Sequence, residues 1–296
     1  MKQLTQRKTF ARWGFIFVLP GLISYSLFSL YPLISSLVQS FHYIRGAKSE
    51  WRFILFTNYA DALTNSDFWH SMGVTFSYVL MTVPLGVLIS LVVAITLSTV
   101  RKNQGFLRAL YFIPSVAGIV VIGIIFTWMY EPYNGLLNMV FEKFGMGPFL
   151  WLRGKESALP SIAAMTIWRT MGYNVVILMA GILTIPASLY ESAEIDGVGI
   201  LRKHISITIP LTLPTITFVV IYNTIQNLQM FSEIFVMTGG GPGFATTTIG
   251  YRIYQEAFLF MKFGKAAANV VILMIIIVFI TLIQLKLLNK REQAMG

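Results

Sequence analysis

Long runs of apolar residues alternate with short polar segments along the chain. Each run has enough residues to cross a hydrocarbon layer of about 30 Å at a helical rise of about 1.5 Å per residue. Buried helices of a soluble protein are a poor alternative, because no long amphipathic helices remain to cover them. The pattern therefore predicts an all-α membrane protein with six transmembrane helices. The predicted spans are residues 14–36, 72–98, 107–130, 161–185, 211–237 and 266–288.

The first run follows a basic segment, residues 1–13, which raises the alternative of a secretory signal peptide. The run is longer than a signal core and shows no small-residue cleavage pattern, so we predict an uncleaved span. Lys and Arg are more frequent in the segments that a cytoplasmic amino terminus would place inside, above all in the first and last segments. By the positive-inside rule, residues 1–13 and the tail 289–296 are both predicted to be cytoplasmic.

The amino-acid composition supports the membrane assignment and limits the kinds of partner and metal site that the chain can have. Of the 296 residues, 56% are hydrophobic and 11% are charged, and the mean hydropathy is +0.71, far from the values of a soluble domain. The positive charges behind the formal net charge of +10 fall mostly at the edges of apolar runs, which favours membrane lipid over nucleic acid as the partner. The absence of cysteine from the sequence excludes disulfides and thiolate metal sites.

A charged stretch, residues 187–210, separates the fourth apolar run from the fifth. Pro186 favours a helix start, residues 187–196 predict about three turns, and Gly197 is suited to the left-handed conformation that ends them. The acidic side chains of this helix stand beside small and apolar ones, which suits a groove on a partner protein. Spacing alone fits an ordinary polar loop at least as well.

Polar side chains inside the fifth run are the first candidates for contact with a solute, because such groups are costly in lipid. Asn223, Gln226, Asn227, Met230 and Glu233 are spaced to share one face of a continuous helix. Amides both donate and accept hydrogen bonds, which suits the hydroxyl groups of a neutral sugar. The alternative is that these amides bind neighbouring helices and hold the bundle together.

Arg169 is the charged outlier of the fourth run and lies near Trp168, Tyr173 and Asn174. An arginine at mid-bilayer costs about 2.5–3.5 kcal/mol on insertion scales, so its side chain should avoid lipid. We expect Arg169 to anchor the outer end of the span or to form an ion pair with Glu233. Direct contact of this polar and aromatic patch with a sugar ring is the alternative.

The sequence lacks the motifs of an ATP-hydrolysing or metal-dependent enzyme. A phosphate-cradling G-x-x-x-x-G-K-[ST] motif does not occur, and the three histidines, His42, His70 and His204, lie in different polar segments. Uphill transport by this chain would therefore need energy from another subunit. The charged stretch 187–210 is the most prominent segment through which such a contact would act.

The pattern Glu191-x-Ala193-x-x-Asp196-Gly197, followed by Ile209-Pro210, resembles the EAA loop of the membrane permease subunits of binding-protein-dependent ABC importers. In that family the loop is cytoplasmic and forms a coupling helix that sits in a cleft of an ATPase subunit. The resemblance implies the type I ABC importer permease fold, with ATP and Mg²⁺ bound by the partner ATPase and no cofactor bound by this chain. The ATPase-coupling residues that it implies are Glu191, Ala193, Glu194, Asp196, Gly197, Ile209 and Pro210.

Further motifs extend the resemblance over most of the chain and are similar to the carbohydrate-uptake class of these permeases. They are Asn58-Tyr59, Phe68-Trp69, RALYFIP at 108–114, GLLN at 135–138 and TGGGP at 238–242. This class implies a sugar-like substrate, a second non-identical permease subunit, a pair of ATPase subunits and an extracellular or periplasmic solute-binding protein. It also implies a bacterial cytoplasmic membrane. The candidate substrate-pathway residues are Asn223, Gln226, Asn227, Met230, Tyr173 and Gly172.

Residues 14–288 are thus predicted to form one permease domain that moves a sugar, oligosaccharide or polyol by alternating access. A secondary transporter is the alternative, but it would need an intramembrane acid as an ion site, and the sequence offers only Glu233, near a span end. A membrane-embedded enzyme would need clustered acids or histidines, which the sequence does not contain.

Overall fold

The computed structural model describes residues 2–46, 50–100 and 102–295, and the side chains of those between Gly14 and Leu288. The predicted terminal segments 1–13 and 289–296 lie outside the residues whose side chains are described. Two compact units make up the chain. One contains the described residues up to Asn65 together with Ile253–Met274, and the other contains Ser66–Arg252 and the described residues from Ile275 onward.

The first unit begins with a long helical stretch that leads into a small antiparallel hairpin. A π-helical turn, Ser26–Leu30, joins its first two helices. In the hairpin, His42 pairs with Phe53 and Tyr43 pairs with Arg52. The elements are α1 (Lys2–Tyr25), α2 (Tyr31–Ser40), β1 (His42–Tyr43), β2 (Arg52–Phe53) and α3 (Thr57–Thr64).

Asn58 holds the first unit together beside the hairpin. Its side chain is buried, and its Nδ2 donates to the carbonyl oxygens of Ser40 and His42, both at 2.9 Å. Gly264 passes close to the same place, because a Cβ there would overlap the carbonyl oxygen of His42. The structure therefore gives this residue of the Asn58-Tyr59 motif a structural role.

The second unit contains most of the long helices. A 3-10 turn, Trp151–Arg153, and a π-helical turn, His204–Thr208, lie between them. Its elements are α4 (Ser66–Thr99), α5 (Gln104–Val116), α6 (Ile119–Met129), α7 (Leu136–Glu142), α8 (Ala158–Ile182), α9 (Ala187–Ile195), α10 (Ile200–Lys203), α11 (Ile209–Leu211), α12 (Leu213–Leu228) and α13 (Ser232–Met237). The last helices extend over both units and are α14 (Ile249–Tyr254), a π-helical turn (Gln255–Leu259) and α15 (Phe263–Met295).

Helices α4, α8 and α12 pack together and form the apolar core of the second unit. A buried amide pair crosses this core, where Asn223 Nδ2 on α12 donates to Asn174 Oδ1 on α8 at 2.9 Å. Helix α5 approaches α8 so closely that a Cβ on Gly172 would overlap the backbone carbonyl of Tyr111. The core residues include Val83, Val87, Leu91, Val175, Leu178, Met179 and Val219.

Four helical segments are long and apolar enough to cross a membrane, and two bent pairs raise the number to six if each pair is one span. The four are Gly14–Ser40, Ser66–Thr99, Ala158–Ile182 and Phe263–Leu288. The bent pairs are Gln104–Val116 with Ile119–Met129, at 91°, and Ile200–Leu211 with Leu213–Leu228, at 70°. The predicted all-α architecture with several membrane-spanning helices is confirmed. The third and fifth apolar runs, however, are not straight helices.

The prediction of one continuous helix from Asn223 to Glu233 is wrong. Helix α12 ends at Leu228, and the chain leaves helical geometry before α13 begins at Ser232. A distant side chain makes this break possible, because Thr248 Oγ1 donates to the carbonyl oxygen of Met230 at 3.0 Å. That bond satisfies a backbone group that the break has released from the helix.

We predict that Gly172→Ala destabilises the protein by about 1–3 kcal/mol, because the added methyl group overpacks the contact between α5 and α8. Thermal unfolding of the purified chain in detergent measures this loss. Gly73→Ala is the matched control within α4, because a Cβ there meets no atom within 4 Å. It should leave the stability unchanged or raise it slightly. Equal melting temperatures for the two variants would contradict the close approach.

We also predict that Asn174→Leu costs about 1–3 kcal/mol, because it leaves the buried amide of Asn223 without its partner. The double variant Asn174→Leu/Asn223→Leu should lose less than the sum of the two single variants, as coupled residues do. Thr96→Ala on the exposed face of α4 should change the stability by less than about 0.5 kcal/mol. Additive losses in the double-mutant cycle would mean that the two amides do not stabilise each other.

Candidate functional site: a polar cavity and a protruding loop

A polar cavity of about 510 Å³ lies within the second unit. Helices α8 and α12 supply two of its walls, and the bend after Val116 and the break after Leu228 complete it. Non-helical backbone at membrane depth is tolerated where it lines a cavity, so these two interruptions are consistent with a water-filled site. The lining residues are Ser115, Ile119, Thr166, Arg169, Thr170, Tyr173, Tyr222, Asn223, Gln226, Asn227, Gln229, Met230, Phe231, Ser232 and Glu233.

The cavity brings together five of the six predicted pathway residues, although the helix that was expected to align them is broken. Three amides line it from α12, Met230 from the break and Tyr173 from α8. Gly172 does not belong to the lining, since it is buried where α8 meets α5. The tertiary structure therefore brings these side chains to one cavity, although they do not lie on one face of a single helix.

The three amides of α12 are not equally available to a solute. Asn223 is buried and its Nδ2 contacts Asn174 Oδ1 and, at 2.8 Å, the carbonyl oxygen of Val219. Asn227 Nδ2 donates to the carbonyl oxygen of Asn223 at 2.7 Å. Gln226 is exposed at the cavity wall. Both alternatives drawn from the sequence thus apply, because Asn223 helps to hold the bundle and Gln226 is open to a ligand.

Ser115 ties the end of α5 to the turn of α8 that faces the cavity. Its Oγ donates to the carbonyl oxygen of Arg169 at 2.7 Å and accepts from the backbone N–H of Tyr173 at 3.1 Å. In a regular helix these two backbone groups, four residues apart, bond to each other. The hydroxyl therefore bridges these two backbone groups of α8, which belong to two cavity residues. Nothing in the sequence marks Ser115 for this role, because its partners are more than fifty residues away.

The predicted ion pair between Arg169 and Glu233 is confirmed. Arg169 Nη2 lies 3.1 Å from Glu233 Oε1, and the two side chains are 21% and 11% exposed. The pair links α8 to the start of α13, so it closes the cavity at the break after α12. Among the described residues, no cluster of three or more His, Asp or Glu side chains could hold a metal ion.

An aromatic pair forms part of the cavity wall. The ring centroids of Tyr173 and Tyr222 are 5.3 Å apart with an interplanar angle of 37°, and Phe218 stacks on Tyr222 from the preceding turn of α12. Such surfaces suit the apolar face of a sugar ring. The position of Tyr222 directly before Asn223 was available in the sequence, but only the fold shows that it meets Tyr173.

The charged stretch between α8 and α12 begins with the predicted helix, now α9. Gly197 ends it with φ of +72°, as expected. The N–H of Val198 donates to the carbonyl of Ala193 at 2.9 Å, and that of Gly197 donates to the carbonyl of Glu194 at 3.0 Å. These two bonds form a Schellman motif, which needs a residue that adopts positive φ at its centre.

Side-chain contacts fold the rest of the loop back onto α9. Lys203 Nζ lies 2.7 Å from Glu194 Oε1, and Tyr190 Oη lies 2.8 Å from Thr208 Oγ1. The hydrogen bond from Lys203, followed by its positive charge, holds the pKa of Glu194 below its usual value. The pair therefore stabilises the folded loop at pH values above the usual carboxyl pKa. This stabilisation is lost as the pH falls through the lowered pKa of Glu194.

The loop exposes large apolar side chains as well as acids. Ile195 is 87% exposed, and Ile200 and Leu201 are each 75% exposed. The sequence drew attention to the acids, and the apolar pair at the start of α10 was missed. Of the predicted coupling residues, Glu191, Glu194, Asp196 and Gly197 are exposed, Ala193 is buried, and Ile209 and Pro210 are half-buried in α11.

Relatives with known names cover nearly the whole chain. The sulfoquinovosyl glycerol transport system permease protein SmoG of Agrobacterium fabrum is 31% identical, with 92% of this chain and 89% of SmoG covered. The trehalose/maltose transport system permease protein MalF of Thermococcus litoralis is 32% identical, with 93% of each chain covered. Both relatives are transport permeases rather than enzymes.

A crystal structure of a bacterial alginate ABC transporter, in complex with an alginate pentasaccharide-bound periplasmic protein, contains a chain of similar fold. The TM-score is 0.86, with 98% of each chain covered, and the sequences are 19% identical. This likeness supports the fold alone. Residues 62–293, which include both the cavity and the loop, match the family described as the inner membrane component of binding-protein-dependent transport systems, and the chain belongs to that family.

Proposed function

We propose that this chain is a permease subunit of an ATP-driven ABC importer for a sugar, an oligosaccharide or a similar polyol. The observation that carries the proposal is the family match over residues 62–293. The names of the relatives SmoG and MalF, which refer to sulfoquinovosyl glycerol and to trehalose or maltose, support a sugar-like solute. The cavity supports it too, because amides and hydroxyls can both donate to and accept from a polyol.

Within the cavity, Gln226 and Asn227 are proposed to bind solute hydroxyls while Tyr173 and Tyr222 face the apolar side of a sugar ring. Met230 completes the wall at the break, and Asn223 holds α12 against α8. Gly172 contributes indirectly by allowing α5 to approach. Binding at this site should be weak, because a transport site must release its solute on the far side.

The loop 187–210 is proposed to dock an ATPase subunit on the cytoplasmic side. The chain has no phosphate-binding motif of its own, so the energy of ATP must enter by contact. Ile195, Ile200 and Leu201 supply an apolar surface of the kind that a partner covers, and Glu191 and Asp196 supply charges beside it. The capped helix and the Glu194–Lys203 pair hold this surface in shape, with Ile209 and Pro210 connecting it to α12.

The architecture proposed for the membrane has six spans within a permease domain of residues 14–288. The first bent pair counts as one span, and of the second only the part from Leu211 onward enters the membrane, since residues 187–210 form the docking loop. Both termini, 1–13 and 289–296, are then cytoplasmic, as the Lys and Arg distribution indicates. The proposed location is the bacterial cytoplasmic membrane. The proposed partners are a second, non-identical permease, a pair of ATPase subunits that bind ATP and Mg²⁺, and a solute-binding protein outside the membrane.

Alternating access is the proposed mechanism. Closure of the ATPase pair around ATP would draw the docking loops of the two permeases together and open the cavity outward to the binding protein. A secondary transporter is less well supported, because its coupling-ion site would need an available intramembrane acid. Glu233 is the acid that lines the cavity, and Arg169 already neutralises it.

Reconstitution of the chain with its second permease, ATPase pair and binding protein tests this function. We expect uptake of a radiolabelled sugar or polyol that is lost with an ATPase variant unable to hydrolyse ATP. We further expect a protonophore to leave the uptake unchanged. Uptake that persists with the inactive ATPase and collapses with the protonophore would instead establish secondary transport.

We predict that Gly197→Val detaches the ATPase, because a β-branched residue is strained at φ of +72° and the cap of α9 would be lost. Co-purification of the ATPase with the tagged chain measures the effect, and we expect a loss of at least about tenfold, equivalent to about 1.4 kcal/mol. Gly199→Val is the matched control, since Gly199 has φ of −64° and ψ of 156° and open space around it. Normal co-purification with Gly197→Val would exclude this loop as the docking site.

A further inference from the structure

Two charged residues of opposite sign line the cavity. Arg169 on α8 and Glu233 on α13 are its charged members among the described residues, and every other lining residue is uncharged. Their side chains are largely buried and are joined by one contact of 3.1 Å between Nη2 and Oε1. The wall of the cavity therefore has no net charge, although it contains a guanidinium group that by itself would attract anions.

The contact leaves hydrogen-bonding capacity on the guanidinium group. An arginine side chain has five N–H donors. One nitrogen of Arg169 contacts Glu233, and Nε is buried without a hydrogen-bond partner in the described part of the chain. Its burial closes Nε off from a ligand, so it is the remaining N–H groups of the terminal nitrogens Nη1 and Nη2 that can donate to a ligand hydroxyl group while the charge of Arg169 stays balanced by the carboxylate.

The position of Glu233 follows from the break in the fifth apolar run. If α12 continued as a straight helix, Glu233 would lie further along its axis than the amides. Instead the chain turns at Gln229–Phe231, and α13 begins with the carboxylate beside Arg169. The carbonyl freed at Met230 is bound by Thr248, so the break is held in place and the pair with it.

Opposite charges this close largely cancel each other's field at the distance of a ligand elsewhere in the cavity. Without Glu233, the positive charge of Arg169 would act across a confined and partly dehydrated space, where screening is weaker than in bulk water. An anionic solute would then be favoured over an uncharged or a cationic one. The carboxylate of Glu233 thus determines whether the cavity favours anionic solutes over uncharged ones.

We propose that Glu233 is a specificity-determining residue: it cancels the charge of Arg169, so that the cavity accepts uncharged polyhydroxylated solutes and gives no advantage to anionic ones. The inference rests on the proposed transport function, because it assumes that a solute occupies this cavity. It assigns Arg169 to hydroxyl binding rather than to the capture of a carboxylate, sulfonate or phosphate group.

The absence of cysteine makes a direct measurement of the cavity charge possible. A single cysteine at the exposed lining position, Gln226→Cys, reports the rate of reaction with methanethiosulfonate reagents carrying a sulfonate or a trimethylammonium group. The experiment uses the assembled, nucleotide-free transporter in detergent. Phe144→Cys, at a residue that is 74% exposed and outside the cavity, provides the reference for the intrinsic reactivity of each reagent.

With Glu233→Gln, we expect the anionic-to-cationic rate ratio at Gln226→Cys to rise about three- to tenfold above that of the parent. With Arg169→Gln, the ratio should fall by a similar factor. The double variant Arg169→Gln/Glu233→Gln should return to the parent ratio, because it removes both charges. None of these changes should alter the ratio at Phe144→Cys.

An unchanged ratio in Glu233→Gln, with the reporter still reactive, would overturn the proposal. If Glu233→Gln does not assemble, Arg169→Gln decides alone, and an unchanged ratio there would overturn it equally. The measurement needs neither solute nor ATP. Failure of ATP-driven uptake would therefore remove the proposed transport function without moving the rate ratio, and an unchanged ratio in a transporter active in uptake would remove only the role of Glu233.

Discussion

The need to satisfy backbone hydrogen bonds inside a hydrocarbon layer is the constraint on which this structure depends. Water cannot reach a broken helix in lipid, so each interruption must find its partners within the protein. At the break after α12, the hydroxyl of Thr248 supplies a donor to Met230. Near the bend after α5, the hydroxyl of Ser115 ties the helix end to two backbone groups of α8, although these groups were not released by the bend itself. Both interruptions are thereby held in fixed positions.

These interruptions create the cavity. Two straight, well-packed helices would leave no polar space between them, whereas the bend after Val116 and the break after Leu228 open a space of about 510 Å³. The same bonds that stabilise the interruptions also set the cavity wall. Ser115 fixes the turn of α8 that carries Arg169 and Tyr173, and Arg169 in turn holds Glu233. The helix interruptions and the charge balance of the cavity wall therefore depend on the same contacts.

The loop between α8 and α12, which we propose to lie outside the membrane, is held by a different set of contacts. Its conformation is stabilised by a helix cap and by an ion pair within the loop. Gly197 closes α9, and Lys203 pairs with Glu194 across the turn. The resulting surface exposes Ile195, Ile200 and Leu201. Clustered exposed apolar groups are typical of a surface that a partner protein covers.

The amino-acid sequence by itself determined the features that depend on local patterns. Apolar runs of sufficient length gave the membrane helices, Pro186 and Gly197 gave the bounds of α9, and the scarcity of charge in the spans pointed to an ion pair for Arg169. Only the tertiary structure decided where the fifth run breaks, that Asn223 is engaged with Asn174, and that Ser115 and Tyr222 belong to the cavity. The physical reason is that each of these outcomes depends on a partner distant in sequence, which helical periodicity cannot identify.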